Sequence, residues 1–125
     1  QMSNEIQKPN DKVYDLEERT ARFGEDVIEF VKKLRKNDIN RPLINQIIRS
    51  ATSIGANYME ADGAVSKKDF RHKIALCKKE AKETKHWLRM IAKADPGEKD
   101  VCRKLWHEAQ ELALIFSSIF ISCGK

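Results

Sequence analysis

Apolar residues recur along this chain at alternating intervals of three and four, the spacing that lines one face of an α-helix. Leu16, Thr20, Phe23, Val27, Phe30 and Leu34 form the first such stripe. Asp15, with Glu18 three residues later, predicts a capping box at its start, and Lys32, Lys33, Arg35 and Lys36 sit at its end as the helix dipole favours. After a break at Asn37 to Asn40, Pro42 suits a first helical turn, and Leu43, Ile47, Ile54 and Tyr58 with Ile44, Ile48 and Ala51 give a broad second face. Ser50, Ala51, Ser53, Gly55 and Ala56 are small enough to admit a neighbouring helix closely. Ser66 with Asp69 predicts a second capping box, with Val65 packing on Phe70 as a hydrophobic staple. The third stripe, Phe70, Ile74, Cys77, Ala81, Thr84, Leu88 and Ile91, is the most regular. Asp95-Pro96-Gly97-Glu98 then supplies a cap, a first-turn proline and a third-position Glu for a fourth helix with Val101, Leu105, Leu112, Phe116 and Ile119 inward.

Four helices joined by short polar connections predict an all-α fold, an antiparallel up-down-up-down four-helix bundle over residues 15–123 behind a polar N-terminal arm, residues 1–14. With 125 residues, 41% of them apolar, and only five Gly and three Pro, the chain is too apolar for disorder and too poor in turn residues for many short strands. The apolar run from Leu112 to Ile121 is broken by Ser117 and Ser118 and falls short of the roughly 20 residues a membrane span needs. No apolar run near the start suggests a signal peptide, and Cys77, Cys102 and Cys123 form neither a C-x-x-C nor an even set. The expectation is a cytoplasmic protein without membrane contact.

Two features remain once the core is filled. Leu114, Ile115, Phe120 and Ile121 make the fourth helix apolar nearly all round, and Leu76 and Trp87 flank the third stripe. Such surplus is commonly buried by another subunit, so Leu76, Trp87, Leu114, Ile115 and Phe120 are candidate oligomer-interface residues, the alternative being a wider intramolecular contact. The other remainder is charge. Residues 66–93 carry a net charge of +7 within a chain of +5, leaving −2 elsewhere. At about 100° per residue, Lys67, Arg71, Lys78, Lys82, Lys85 and Arg89 fall in one narrow sector beside the core stripe, uninterrupted by any acid. A solvated charged face normally mixes signs at i and i+4. An unmixed ridge suits a phosphate backbone, whose neutralisation releases counterions, and RNA or DNA is the candidate partner. An acidic protein partner and a merely solvated face are the alternatives. The ridge has no interleaved aromatic and none of the Asn or Gln that pair with base edges, so sequence-specific reading is not expected.

Catalytic chemistry finds little support. Glu83-Thr84-Lys85-His86 has the E-x-x-H spacing of di-iron bundles, but no second copy exists and both side chains point away from the stripe that contains Thr84. His72, His86 and His107 have no thiol partner at helical spacing, and neither a G-x-S-x-G nor a P-loop is present. No catalytic residue, metal or cofactor is expected, and Glu80 and Glu83 read as ion-pairing groups.

Arg49-Ser50, Ser53-Ile54-Gly55-Ala56-Asn57-Tyr58 with Glu60-Ala61, Lys68-Asp69-Phe70, and Lys79-Glu80-Ala81 with Glu83-Thr84 and Trp87-Leu88 together carry a family pattern from about Tyr14 to Ser122. On these residues the chain resembles the 23S rRNA intervening-sequence protein family, also called four helix bundle proteins. The resemblance implies a bacterial four-helix bundle assembling as a ring, a homopentamer. It also implies kinship with the basic accessory protein of diversity-generating retroelements, which engages a reverse transcriptase and nucleic acid. The alternative that the resemblance implies is a scaffold for a protein partner, such as a reverse transcriptase or ribosomal component, without direct nucleic-acid contact. Asn57, Glu60 and Glu80 are expected to be hydrogen-bonded structural groups at helix or subunit contacts.

Overall fold

The computed structural model describes residues 15–124; the predicted arm, residues 1–14, lies outside them. Among the described residues, four α-helices follow one another and no strand occurs: α1 (Leu16–Lys32), α2 (Asn40–Asp62), α3 (Lys67–Ala94) and α4 (Lys99–Cys123), with a 3-10 turn at Pro96–Glu98 before α4.

The helix ends follow local chemistry, with corrections at Asp15, at Val65 and at Asp95, which precedes the 3-10 turn and whose side chain makes no capping bond. Ser66 Oγ accepts the Asp69 backbone N–H at 3.0 Å, as predicted for the start of α3. Asp15 does stand at the N-cap of α1, but its side chain makes no capping bond; Glu17 and Glu18 still place acid in the first turn. The staple does not form either, because Val65 is 95% exposed and leaves Phe70 to pack on the core without it. The α1–α2 corner is closed by its own side chains. The Lys36 ammonium donates to the carbonyls of Val31 at 3.0 Å and Leu34 at 2.6 Å, where the helix leaves acceptors unpaired. Asn37 Oδ1 accepts the N–H groups of Ile39 and Asn40.

The stripes meet in one core. Every residue of the α1 stripe is buried, and on α3 Ile74, Cys77, Ala81, Thr84, Leu88 and Ile91 are no more than 1% exposed. Each large aliphatic among them contributes on the order of 1.5–3 kcal/mol. On α4 the predicted series is corrected at its start. Val101 is 41% exposed, because the buried stripe of α4 centres on Cys102, Leu105, Ala109, Leu112 and Phe116, with Ala113 beside them, and Val101 falls on its flank.

Sequence-adjacent helices are the close neighbours, and α1 also approaches α4. Contacts run in opposite sequence order along each adjacent pair. Between α2 and α3, Glu60 meets Lys73, the Ile54 carbonyl meets Cys77 Sγ, and Ser50 meets Thr84. Between α3 and α4, Arg71 meets Phe120 and Lys85 meets Gln110. The small residues of α2 let α1 in: a Cβ on Gly55 would stand 3.3 Å from Thr20 Oγ1, and Gly24 of α1 lies against Thr52. Arg19 ties α1 to α4 through Glu108 at 2.7 Å and Glu111 at 2.8 Å. The two carboxylates raise the Arg19 pKa and hold its guanidinium charged.

A buried polar contact marks the centre of the α2–α3 seam. Ser50 Oγ and Thr84 Oγ1 are 2.8 Å apart with no exposure of either residue, and Thr84 also reaches the Glu80 carbonyl at 2.8 Å. Removing one partner leaves the other without its best hydrogen bond. Thr84→Val is expected to destabilise the fold by about 1–3 kcal/mol in denaturant unfolding, and Ser50→Ala added to it is expected to restore part of that loss. Equal, additive losses would show that the two hydroxyls are not coupled.

Candidate nucleic-acid interface

Burying the α3 stripe against α2 and α4 sorts the charges of this helix. Glu80 and Glu83 fall on the flank toward α2, where Arg49 answers both: it reaches Glu80 at 3.2 Å and pairs closely with Glu83. Glu83 also accepts the Trp87 indole N–H at 2.9 Å. Glu60 receives Lys73 at 2.6 Å, and Asn57 donates to the Ser53 carbonyl at 2.9 Å. The expectation of hydrogen-bonded groups at helix contacts therefore holds for Glu60 and Glu80, while Asn57 bonds within its own helix.

The flank toward α4 carries the cations. Lys67, Lys82 and Arg89 are exposed and Lys78 is half-buried, and among the described residues none of the four meets a carboxylate within ion-pair distance. Lys78, Lys79 and Lys82 surround a shallow depression floored by Ala75, so Lys79 adds a cation from outside the predicted sector.

Arg71 and Lys85 are placed differently. The Arg71 guanidinium carbon lies 3.8 Å from the centroid of the Phe120 ring, and its Nε donates to the Phe120 carbonyl at 3.3 Å. It passes so close to Gly124 that a Cβ there would stand 2.8 Å from its nitrogen. Lys85 donates to Gln110 and sits 4.9 Å from the Trp106 ring centroid. These two cations clamp α3 to α4 while keeping their charge on the ridge. Trp106 changes the sequence picture. It is an aromatic beside the ridge, which the sequence hid by putting it on a different helix, one position past the buried Leu105.

The five candidate interface residues do not form one patch. Leu114 is 57% exposed on the outer side of α4 and has Ile121, at 59%, seven residues and about two turns along the same face. Ile115, Phe120 and Trp87 are half-buried against the core, Phe120 beneath Arg71, and Leu76 is half-buried on α3. A second apolar surface, which no single stripe reveals, lies between α1 and α2. A groove of about 420 Å³ there has Gly24, Gly55 and Ala56 in its floor and Ile28 and Met59 exposed at its edges.

Among the described residues, no group of three or more His, Cys, Asp or Glu side chains is arranged to hold a metal ion, and no helix is long and apolar enough to cross a membrane. The three cysteines are free, and Cys77 and Cys102 are buried. Burial pushes the Cys77 thiol up to about 12 and the Cys102 thiol up to about 11.

Comparison with known proteins agrees with this architecture. A family model described as 23S rRNA-intervening sequence protein matches residues 12–118. The fold is similar to a crystal structure of a protein of unknown function from the S23 ribosomal protein family of Bacteroides thetaiotaomicron VPI-5482. That protein is 28% identical with a TM-score of 0.76, over 87% of this chain and 97% of the other. No curated protein matches the sequence.

The buried thiols supply a test of the packing beneath the ridge. At pH 8 a thiol reagent is expected to modify Cys123, which is half-buried at the end of α4, and to reach Cys77 only as fast as the fold opens globally. Rapid labelling of Cys77 in the folded protein would contradict the closed α2–α3 seam. The pH dependence has a definite sign: both thiols are held neutral in the fold. Their contribution is intact below about pH 9, the ordinary thiol value, and is lost as pH climbs toward 11 to 12.

Proposed function

Because the chain belongs to the 23S rRNA-intervening sequence protein family, matched over residues 12–118, we propose that it acts as an antiparallel four-helix bundle that self-assembles into a ring, a homopentamer, and binds RNA or DNA without sequence specificity. No cofactor and no catalytic step enter this reading, and the reducing cytoplasm is its setting, in keeping with three free cysteines.

The observation that carries the binding half is the charge sorting on α3. Lys67, Lys78, Lys82 and Arg89 follow one another along the flank beside α4 with no carboxylate partner among the described residues, while the acids Glu80 and Glu83 of the same helix pair with Arg49 on the other flank. Unpaired cations in a row gain more from a polyanion than paired ones, because no internal ion pair has to be broken. Arg71 and Lys85 extend the row and hold its geometry.

Self-assembly is supported by the two separate apolar surfaces. A head-to-tail ring joins two different patches of the same chain, unlike a two-fold dimer, which uses one patch twice. Leu114 and Ile121 on α4 offer one patch, and the groove edged by Ile28 and Met59 between α1 and α2 offers the other. Trp87, Ile115 and Phe120 have less to give a neighbouring subunit, since they already pack on their own core, and Leu76 is half-buried as well.

The experiment is RNA and DNA binding across a salt series, with mass measured by light scattering in the same buffers. Replacing Lys67, Lys78, Lys82 and Arg89 together by Gln is expected to leave the mass unchanged. It is also expected to flatten the dependence of log affinity on log salt by about 3, near 0.7–0.9 for each phosphate no longer neutralised. Absence of binding by the unaltered protein at low salt would overturn the nucleic-acid reading and leave an oligomeric scaffold for a protein partner. A monomeric mass would overturn the ring.

A further inference from the structure

The ridge ends in a cleft. Where Arg89 closes the row of cations, α3 and the start of α4 border an open cleft of about 310 Å³, floored by Leu88, Cys102 and Trp106 and rimmed by Arg89, Lys99 and Arg103. Apolar and aromatic surface at the bottom with three cations at the mouth is the composition of a site for a flat, anionic ligand. No carboxylate belongs to the lining. Arg103 meets Asp100 at 3.4 Å, but both are largely exposed, and such a pair exchanges readily for a stronger anion.

Trp106 is held in place. Lys85 lies 4.9 Å from its ring centroid, and His107 meets it edge-on at 5.5 Å. An indole fixed in this way loses little freedom when a ligand stacks on it. Its neighbours also point to one ligand class. An acidic peptide would satisfy the three cations but offer nothing to the indole, whereas a nucleotide carries a π-face and a phosphate on the same small unit.

We propose that this cleft receives one unstacked base of a single-stranded nucleic acid, laid against Trp106, with its flanking phosphates among Arg89, Lys99 and Arg103. The proposal rests on the reading of the ridge as a phosphate-binding surface. It adds a preference for single strands, because a base inside a duplex is already stacked and paired and does not reach the cleft. Arg89 belongs to both features, so a strand following the ridge runs directly into the cleft.

The test uses the whole protein carrying Trp87→Phe, so that Trp106 is its one tryptophan, and two probes: a single-stranded oligoadenylate and an RNA duplex with the same number of phosphates. The single strand is expected to quench the indole fluorescence and the duplex to bind without quenching it. Trp106→Leu is expected to weaken the single strand about tenfold and leave the duplex unchanged, with Trp106→Phe restoring most of the loss. Because Trp106 is half-buried, a variant with Arg89, Lys99 and Arg103 all replaced by Gln provides a second measure. These side chains are exposed, and their loss is expected to remove the preference for the single strand. Equal quenching by both probes, or single-strand affinity indifferent to Trp106→Leu, overturns the cleft while the ridge stands. Failure of both probes to bind at low salt overturns the ridge and the cleft together.

Discussion

Helix α3 is the longest in the structure and is packed on both sides, so the register of its buried stripe decides where every charge on it goes. Ile74, Cys77, Ala81, Thr84, Leu88 and Ile91 must all leave water. With that stripe fixed, a residue one position away turns by about 100° and lands on a predetermined flank. Glu80 and Glu83 are committed to the side of α2, and Lys78, Lys82, Lys85 and Arg89 to the side of α4. The hydroxyl pair of Ser50 and Thr84 reinforces this registration, because a polar contact in an apolar seam penalises any slip that would separate its partners.

The surface chemistry follows from that sorting. A helix with ten cations and three acids between residues 66 and 93 has, on one flank, an ion-paired cluster around Arg49 and, on the other, an unpaired row. The field near the row exceeds what the net charge of +5 suggests, since the acids that lower the total lie elsewhere on the molecule. Arg71 and Lys85 serve packing and charge together: their stems and planes cover Phe120 and Trp106 while their positive ends stay on the ridge.

Most of the helical framework is legible in the sequence because it is written in local periodicity. Six of six stripe positions on α1 are buried, as are all of the α3 positions except Phe70, which is partly so. The failures lie where geometry depends on more than one segment. Val101 has the four-residue spacing to Leu105 that a stripe requires, yet the buried face centres on Cys102 and leaves Val101 on its flank. Val65 has the spacing of a staple and none of its packing. The ridge is readable because its members share one helix, but the aromatic beside it belongs to another, and no spacing rule joins Lys85 to Trp106. Likewise Arg49 is legible as part of a family pattern, while its role as the counter-charge for two glutamates more than thirty positions away emerges only in three dimensions.

The bonds from Arg19 to Glu108 and Glu111 span 89 and 92 positions of sequence, while the other main helix seams join neighbours along the chain. That difference sets an order of assembly. Hairpins between consecutive helices form from nearby segments at small loop-closure cost, and the long-range closure follows. During synthesis α1 leaves the ribosome ahead of the other three helices yet waits for the middle of α4 before its guanidinium is paired. The bundle thus closes only once α4 has been made, and a nascent chain stopped within α3 presents an α1 packed on α2 with Arg19 still unpaired.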